Sequence, residues 1–409
     1  MPARLARQLP VRELGTMADL ESEIAQVRER LLNWLLNDAL PIWWSRGADK
    51  TGGGFHEAID HAGNTVLGER RARVQARQIF TYAVAGELGW NGPWREAVRH
   101  GLDYYIGRYR RPDGLFVNAL RADGSPSPAT PHLYEQAFAL LAIATAGDPT
   151  LAPIADMIRE RLSAGRRGTA GGYTGFADER FFQSDPHMHL FEAALAWEQV
   201  SSDPHWHALA DEVAELCLTR FMTPDGLLLE YFNATWAPAA GLQGRLAWPG
   251  HQFEWAGLLE RWALRRGRED VRAIARRLYR YGADHGIDAK RGVAVFELLD
   301  DLSVNDSKAR LWSQTEWLKG ALILARSASG DERDRYLADA IAAAKALMLY
   351  LDTPIAGLWR DKLLADGSWV DEPAPASSFY HIIDALRVLV IWPADPMFDD
   401  TDSKRRKSP

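Results

Sequence analysis

A glycine followed within two residues by an aromatic or aliphatic side chain and a short strand-like run recurs six times along the 409 residues. The copies read GGGFHEAID, PDGLFVNAL, GGYTGFADE, PDGLLLEYF, RGVAVFELL and AGLWRDKLL. Gly54, Gly114, Gly172, Gly226, Gly292 and Gly357 mark them, 54 to 66 residues apart. Between successive markers lie two segments of helical periodicity, such as TPHLYEQAFALLAIATAG and DPTLAPIADMIRERLSAG. Each ends on Gly and opens near Asp, Thr or Pro. Two helices per copy, twelve in all, joined by short strand pairs, predict an all-α chain. Six helical hairpins close into an (α/α)6 barrel with an inner and an outer ring and short β-hairpins at one rim. An open solenoid is the alternative, but its repeats usually hold length and sequence more tightly than these do.

A closed double ring needs a large core, and 47% hydrophobic with 25% charged residues supplies one. The formal net charge of −7, with Lys and Arg scattered among Asp and Glu, gives no basic stripe of the kind nucleic acid requires. Cys217 is the only cysteine, which leaves no intrachain disulfide and no cysteine-based zinc site and fits a reducing compartment. No run of 18 apolar residues is present and the N-terminus lacks a signal-peptide apolar core. The expectation is a cytoplasmic protein without a membrane partner, monomeric or homodimeric. Residues 1–17 read as a disordered extension, 18–395 as one barrel domain, and 396–409 as a charged tail.

In such a barrel the inner helices start at the hairpin rim, so the residues after each hairpin line the mouth. Those positions are polar: Arg77; His132, Glu135 and Gln136; Asp185, His187 and His189; His251 and Glu254; Gln314 and Glu316; His381. Burying such groups unpaired costs on the order of 1–3 kcal/mol each. They make sense as the wall of a wet pocket. In WPGHQFEWAGLLERW, helical spacing puts His251, Glu254 and Trp255 on one face of the first turn, while Leu258, Leu259 and Trp262 continue an apolar stripe.

With these residues in view, the chain resembles the N-acylglucosamine 2-epimerase superfamily of sugar isomerases and epimerases from about Ala18 to Trp392. The likeness rests on VQARQIFTYA with Arg77, DPHMHLFEAALAW with His189, WPGHQFEWAGLL with His251 and Glu254, LWSQTEWLKGAL with Trp312 and Glu316, and SSFYHIIDAL with His381. PHMHLFEA and FYHIIDA look most like the aldose–ketose isomerases of D-mannose. The chain departs from the family at Asp185, where Asn is more frequent.

The resemblance implies conversion of free D-mannose to D-fructose, or of D-lyxose to D-xylulose, through a cis-enediol. His381 would carry the C2 proton to C1, and His251 would assist ring opening and hydroxyl proton transfer. It implies that Glu254 and Glu316 orient imidazoles and sugar hydroxyls, and that Arg77 steadies the enediolate oxygen. Asp185, His189, Trp255, Trp312 and Gln314 complete the expected sugar-binding set. His187 and His189 sit at i, i+2, on different helix faces, so neither a metal nor a nucleotide cofactor is expected. A sugar 2-epimerase of the N-acylglucosamine or cellobiose type is the alternative. Behind it stand an inverting glycosidase built on Glu135, Glu254 and Glu316, and a sugar-binding module without activity.

Overall fold

The computed structural model of the chain describes residues 16–127, 131–165, 171–173 and 182–393. The expected tail and residues 1–15 of the expected extension lie outside these. Thr16 and Met17, read as part of that extension, instead open the first helix, where Thr16 and Asp19 form a capping box.

Among the described residues twelve long helices follow one another: α1 (Met17–Trp34), α2 (Ala72–Glu87), α3 (Trp94–Tyr109), α4 (Leu133–Ala146), α5 (Ala152–Gly165), α6 (Ser184–Val200), α7 (Pro204–Leu216), α8 (Pro249–Arg266), α9 (Glu269–His285), α10 (Leu311–Ser327), α11 (Gly330–Leu351) and α12 (Ser377–Ile391). The even-numbered helices touch in the order α2, α4, α6, α8, α10, α12, and α12 returns to α2. That contact closes the inner ring and excludes the open solenoid. Helix α1 packs on α11 and α12 and so becomes the outer helix of the last copy.

Composition separates the two rings. Outer helix α9 buries Val271, Ala275, Leu278, Tyr279 and Gly282 on one stripe and turns its charges outward. Inner helix α8 is buried without interruption from Pro249 to Ala263. Its polar side chains therefore have to find partners inside the barrel.

The rim is ringed by short antiparallel pairings. Ahead of four inner helices the entering strand pairs with the hairpin of the following copy: Arg70–Arg71 with Ala119–Leu120, Phe182–Gln183 with Tyr231–Phe232, Leu246–Ala247 with Leu298–Leu299, and Ala309–Arg310 with Lys362–Leu363. Ala374–Pro375, ahead of α12, pairs back with Ala58–Ile59. The chain thus closes a second time at the rim. All six marker glycines take φ between 67° and 89°, a left-handed conformation that a side chain would strain.

A repeated spoke ties each hairpin to its helix. Gln75 receives the Phe55 amide at 2.8 Å and returns its own NH2 to the Phe55 carbonyl at 2.8 Å. Gln136 does the same with Phe116, Gln252 with Leu228 and Gln314 with Ala294. In the third copy His187 takes this place: Nε2 accepts from Tyr173 N at 3.1 Å and Nδ1–H donates to the Gln183 carbonyl at 2.8 Å. Burial holds this imidazole neutral, its pKa lowered to about 4. In the sixth copy Phe379 stands there instead, packed on Trp359 and Trp43.

Candidate active site

Two residues beyond each spoke, one per inner helix, stand Arg77, Phe138, His189, Glu254, Glu316 and His381. Arg77, His189, Glu254 and His381 help enclose a cavity of about 240 Å3, lined also by Arg71, Arg73, Tyr134, Asp185, Trp248, His251, Phe296, Arg310, Trp312, Ser377 and Ser378. This lies below the roughly 300–1,000 Å3 common for drug-sized ligands and suits a small polar guest.

Both expected catalytic histidines line it, each backed by a buried glutamate. Nδ1 of His251 lies 2.8 Å from Glu230 Oε2, and Nδ1 of His381 lies 2.8 Å from Glu316 Oε1. A proton on Nδ1 answers the carboxylate and leaves Nε2 for the cavity. The Trp312 indole bridges the pair, 5.1 Å from the His251 ring and 5.9 Å from that of His381. Gly250 makes room for it, since a Cβ there would meet Trp312 Cζ3 at 2.3 Å.

What surrounds the two rings drives them in opposite directions. Burial alone would lower the affinity of His251 for a proton, but the Glu230 charge, its hydrogen bond and Asp185 outweigh this and hold it at about 8. His381 is pushed well below the ordinary value by burial and then by the cations of Arg77 and Lys319. At neutral pH His251 is an imidazolium and His381 a free base. Such a split between two groups on one cavity suits acid–base chemistry.

Beneath His381 runs a buried chain of charges. Lys319 Nζ lies 2.7 Å from Glu316 and 2.8 Å from Asp384, which also accepts from Arg387 at 2.7 Å. Glu254 has no hydrogen-bond partner for either oxygen, and burial raises its pKa against the pull of Lys319 and His189. Burial and then the Glu254 charge push Glu316 up as well, against the pull of Lys319. The Glu316 carboxyl stands between Lys319, at 2.7 Å, and His381, at 2.8 Å.

Glu254, Glu316 and His381 offer ligand atoms within 4.8 Å of one another, as do His189, Glu192 and Glu254. In the first group the ammonium of Lys319 already stands where a cation would neutralise Glu316. In the second, His189 is itself a cation. Burial opposes its charge, but Tyr134, Asp185 and Glu192 raise its pKa well above the ordinary value.

Arg77 donates to the Ser377 carbonyl at 3.1 Å and to Tyr134 Oη at 2.7 Å, with its plane over Phe138. His189 sits 3.3 Å from both Asp185 and Glu192. Asp185 Oδ1 also lies 3.9 Å from His251 Nε2.

Three expected members stand off the cavity wall. Gln314 is a spoke, its amide spent on Ala294 and on the Arg310 carbonyl, with no face on the cavity. Trp255 is fully buried and stacks on Phe191 at 5.8 Å, because one residue past Glu254 the helix has turned about 100° from the axis. Glu316 lies behind His381 rather than on the wall. The orienting partner of His251 is Glu230 and not Glu254. Glu230 belongs to PDGLLLEYF, the fourth hairpin copy, and its acidic residue in an otherwise apolar strand was the available signal.

Residues 53–385 match the sequence profile of the family described as N-acylglucosamine 2-epimerase (GlcNAc 2-epimerase). The chain belongs to this family. It is 46% identical over 366 residues to a mannose-6-phosphate isomerase of Rhizobium meliloti (strain 1021), covering 87% of this chain and 95% of that one. It is 28% identical over 321 residues to a D-mannose isomerase of Thermobifida fusca, covering 71% and 77%. Among solved structures, a D-mannose isomerase superposes with a TM-score of 0.78 at 20% identity over 94% of this chain and 99% of that one. The cellobiose 2-epimerase of Spirochaeta thermophila DSM 6192 does so with 0.78 at 22% identity over 92% and 100%. The protein is a sugar isomerase or epimerase of this superfamily, built as an (α/α)6 barrel. Among the described residues no helix is long and apolar enough to cross a membrane.

Proposed function

We propose that the protein is an aldose–ketose isomerase for a sugar of mannose configuration, giving the ketose of fructose configuration. The observation that carries its acid–base chemistry is the opposite tuning of the two cavity histidines. With the open-chain aldose in place, Nε2 of His381 removes the C2 proton while the His251 imidazolium gives a proton to the C1 oxygen, forming a cis-enediol. Return of the first proton from His381 to C1, with loss of the O2 proton to His251, yields the C2 ketone and restores both groups. Arg77 borders the same cavity as a fixed cation for the oxygens that gain charge.

A 2-epimerase needs an acid on the face of C2 opposite its base, and an imidazolium at His251 would meet that need too, so the choice of isomerase rests on the names of the relatives. The names of the relatives divide between D-mannose and mannose 6-phosphate and share the mannose configuration, which supports the expected C2 stereochemistry with or without an ester.

The test is an NMR time course with D-mannose and with D-mannose 6-phosphate, before and after exhaustive chelation. A fructose-configured product, undiminished by chelation, is expected. The glucose-configured epimer as main product would move the protein to the epimerases.

A further inference from the structure

Three arginines stand on the cavity wall and take no part in the proton transfers above. Arg71 is the N-cap of α2, Arg73 lies in its first turn, and Arg310 is the N-cap of α10. Each is braced by one carboxylate. Glu57 holds Nε and Nη2 of Arg71, both at 2.7 Å. Glu135 holds Nε and Nη2 of Arg73 at 2.9 and 2.7 Å, and Asp361 those of Arg310 at 3.1 and 2.7 Å. The braces are 17%, 0% and 1% exposed, whereas the arginines are 41%, 32% and 31% exposed. In all three the same guanidinium edge is occupied. Among the described residues, Nη1 of each carries no hydrogen bond.

A guanidinium only donates. A sugar hydroxyl both donates and accepts, so three donor forks around one would leave its own hydrogen unanswered. The group that matches them is acceptor-only and carries several oxygens, as a phosphate does. Were these arginines mere ties between hairpin and helix, they would not share one open wall with the same edge free. Helices α2 and α10 also open here without a side-chain cap, adding their positive ends. The braces cancel most of the net charge, so recognition rests on short-range donors held in fixed orientation.

We propose that Arg71, Arg73 and Arg310 form a phosphate-binding lip, and that the sugar handled at this site is a phosphate ester. An ester on the anomeric oxygen would block ring opening, so the phosphate sits at the end remote from the carbonyl. The choice of mannose as the sugar rests on the isomerase reading; the lip itself does not.

The test compares kcat/KM for D-mannose 6-phosphate and D-mannose in the wild type and in the Arg71→Gln/Arg310→Gln variant, with Arg71→Gln alone as the milder change. The ester is expected to be favoured at least 100-fold, inorganic phosphate to compete with it, and the preference to shrink at least 10-fold in the double variant. Equal use of both sugars by the wild type, or equal losses on both in the variants, overturns the lip. If neither sugar gives a ketose, the isomerase reading has failed and calorimetry judges the lip separately. Mannose 6-phosphate must then bind the wild type at least 10-fold tighter than mannose and lose that margin in the variants; equal binding overturns the proposal.

Discussion

Glu230 does for His251 what no residue on the histidine's own helix does: it holds Nδ1 and sets the proton affinity of the ring. The sign of the resulting pH dependence follows. His381 must be neutral, so kcat/KM rises as pH climbs through a value well below 6.5, and His251 must be protonated, so it falls through about 8. In Glu230→Gln the carboxylate charge is gone, the imidazolium is less favoured, and the descending limb moves down by a unit or more, each unit being about 1.4 kcal/mol. A pH profile of kcat/KM measures this. A limb that stays near 8 would show that Glu230 does not control His251. The sequence pointed to Glu254 for this role because i, i+3 spacing favours contact along one helix; the true partner comes from a hairpin across the rim. Such a pairing depends on how two copies of the repeat meet, which local spacing does not encode.

At the scale of the element, the spokes explain why the rim looked more uniformly polar than the pocket is. Gln136, His187 and Gln314 stood in the same sequence register as the site residues, about twenty residues after each marker. They differ from Phe138, His189 and Glu316 by two positions, as Gln75 does from Arg77, which on a helix is about 200° of rotation. Whether a polar residue at a helix start faces the axis or turns back to its hairpin is decided by that rotation, and the pattern alone does not fix its zero. Gln314→Leu separates the roles. It leaves the Ala294 amide and carbonyl buried without partners, a loss of about 1–3 kcal/mol for each group, read by urea unfolding. KM of the folded variant is expected to stay within twofold of wild type. A raised KM with unchanged stability would restore Gln314 to the sugar-binding set.

For the whole molecule, six unequal copies gave away the ring: left-handed glycines at near-even spacing recur in the structure where the sequence placed them. The order of the inner helices and the rim position of the pocket followed from that count. Closure by α12 against α2, and by Ala374–Pro375 against Ala58–Ile59, brings the last copy to the first. This sets His381 beside Arg77 and within one cavity with His251, though 130 residues separate the two histidines in sequence. Lys319 and Glu316, which hold His381 from behind, come from α10, so this setting of the imidazole exists only in the closed ring. The central claim is that this one imidazole carries the proton between C2 and C1. Solvent deuterium exchange into the sugar, followed by NMR in wild type and in His381→Asn, tests it most directly. Exchange and turnover are expected to disappear together in a variant whose melting temperature stays within a few degrees of wild type, since a polar replacement at the wall leaves no large void. Near-native exchange in folded His381→Asn would contradict the account.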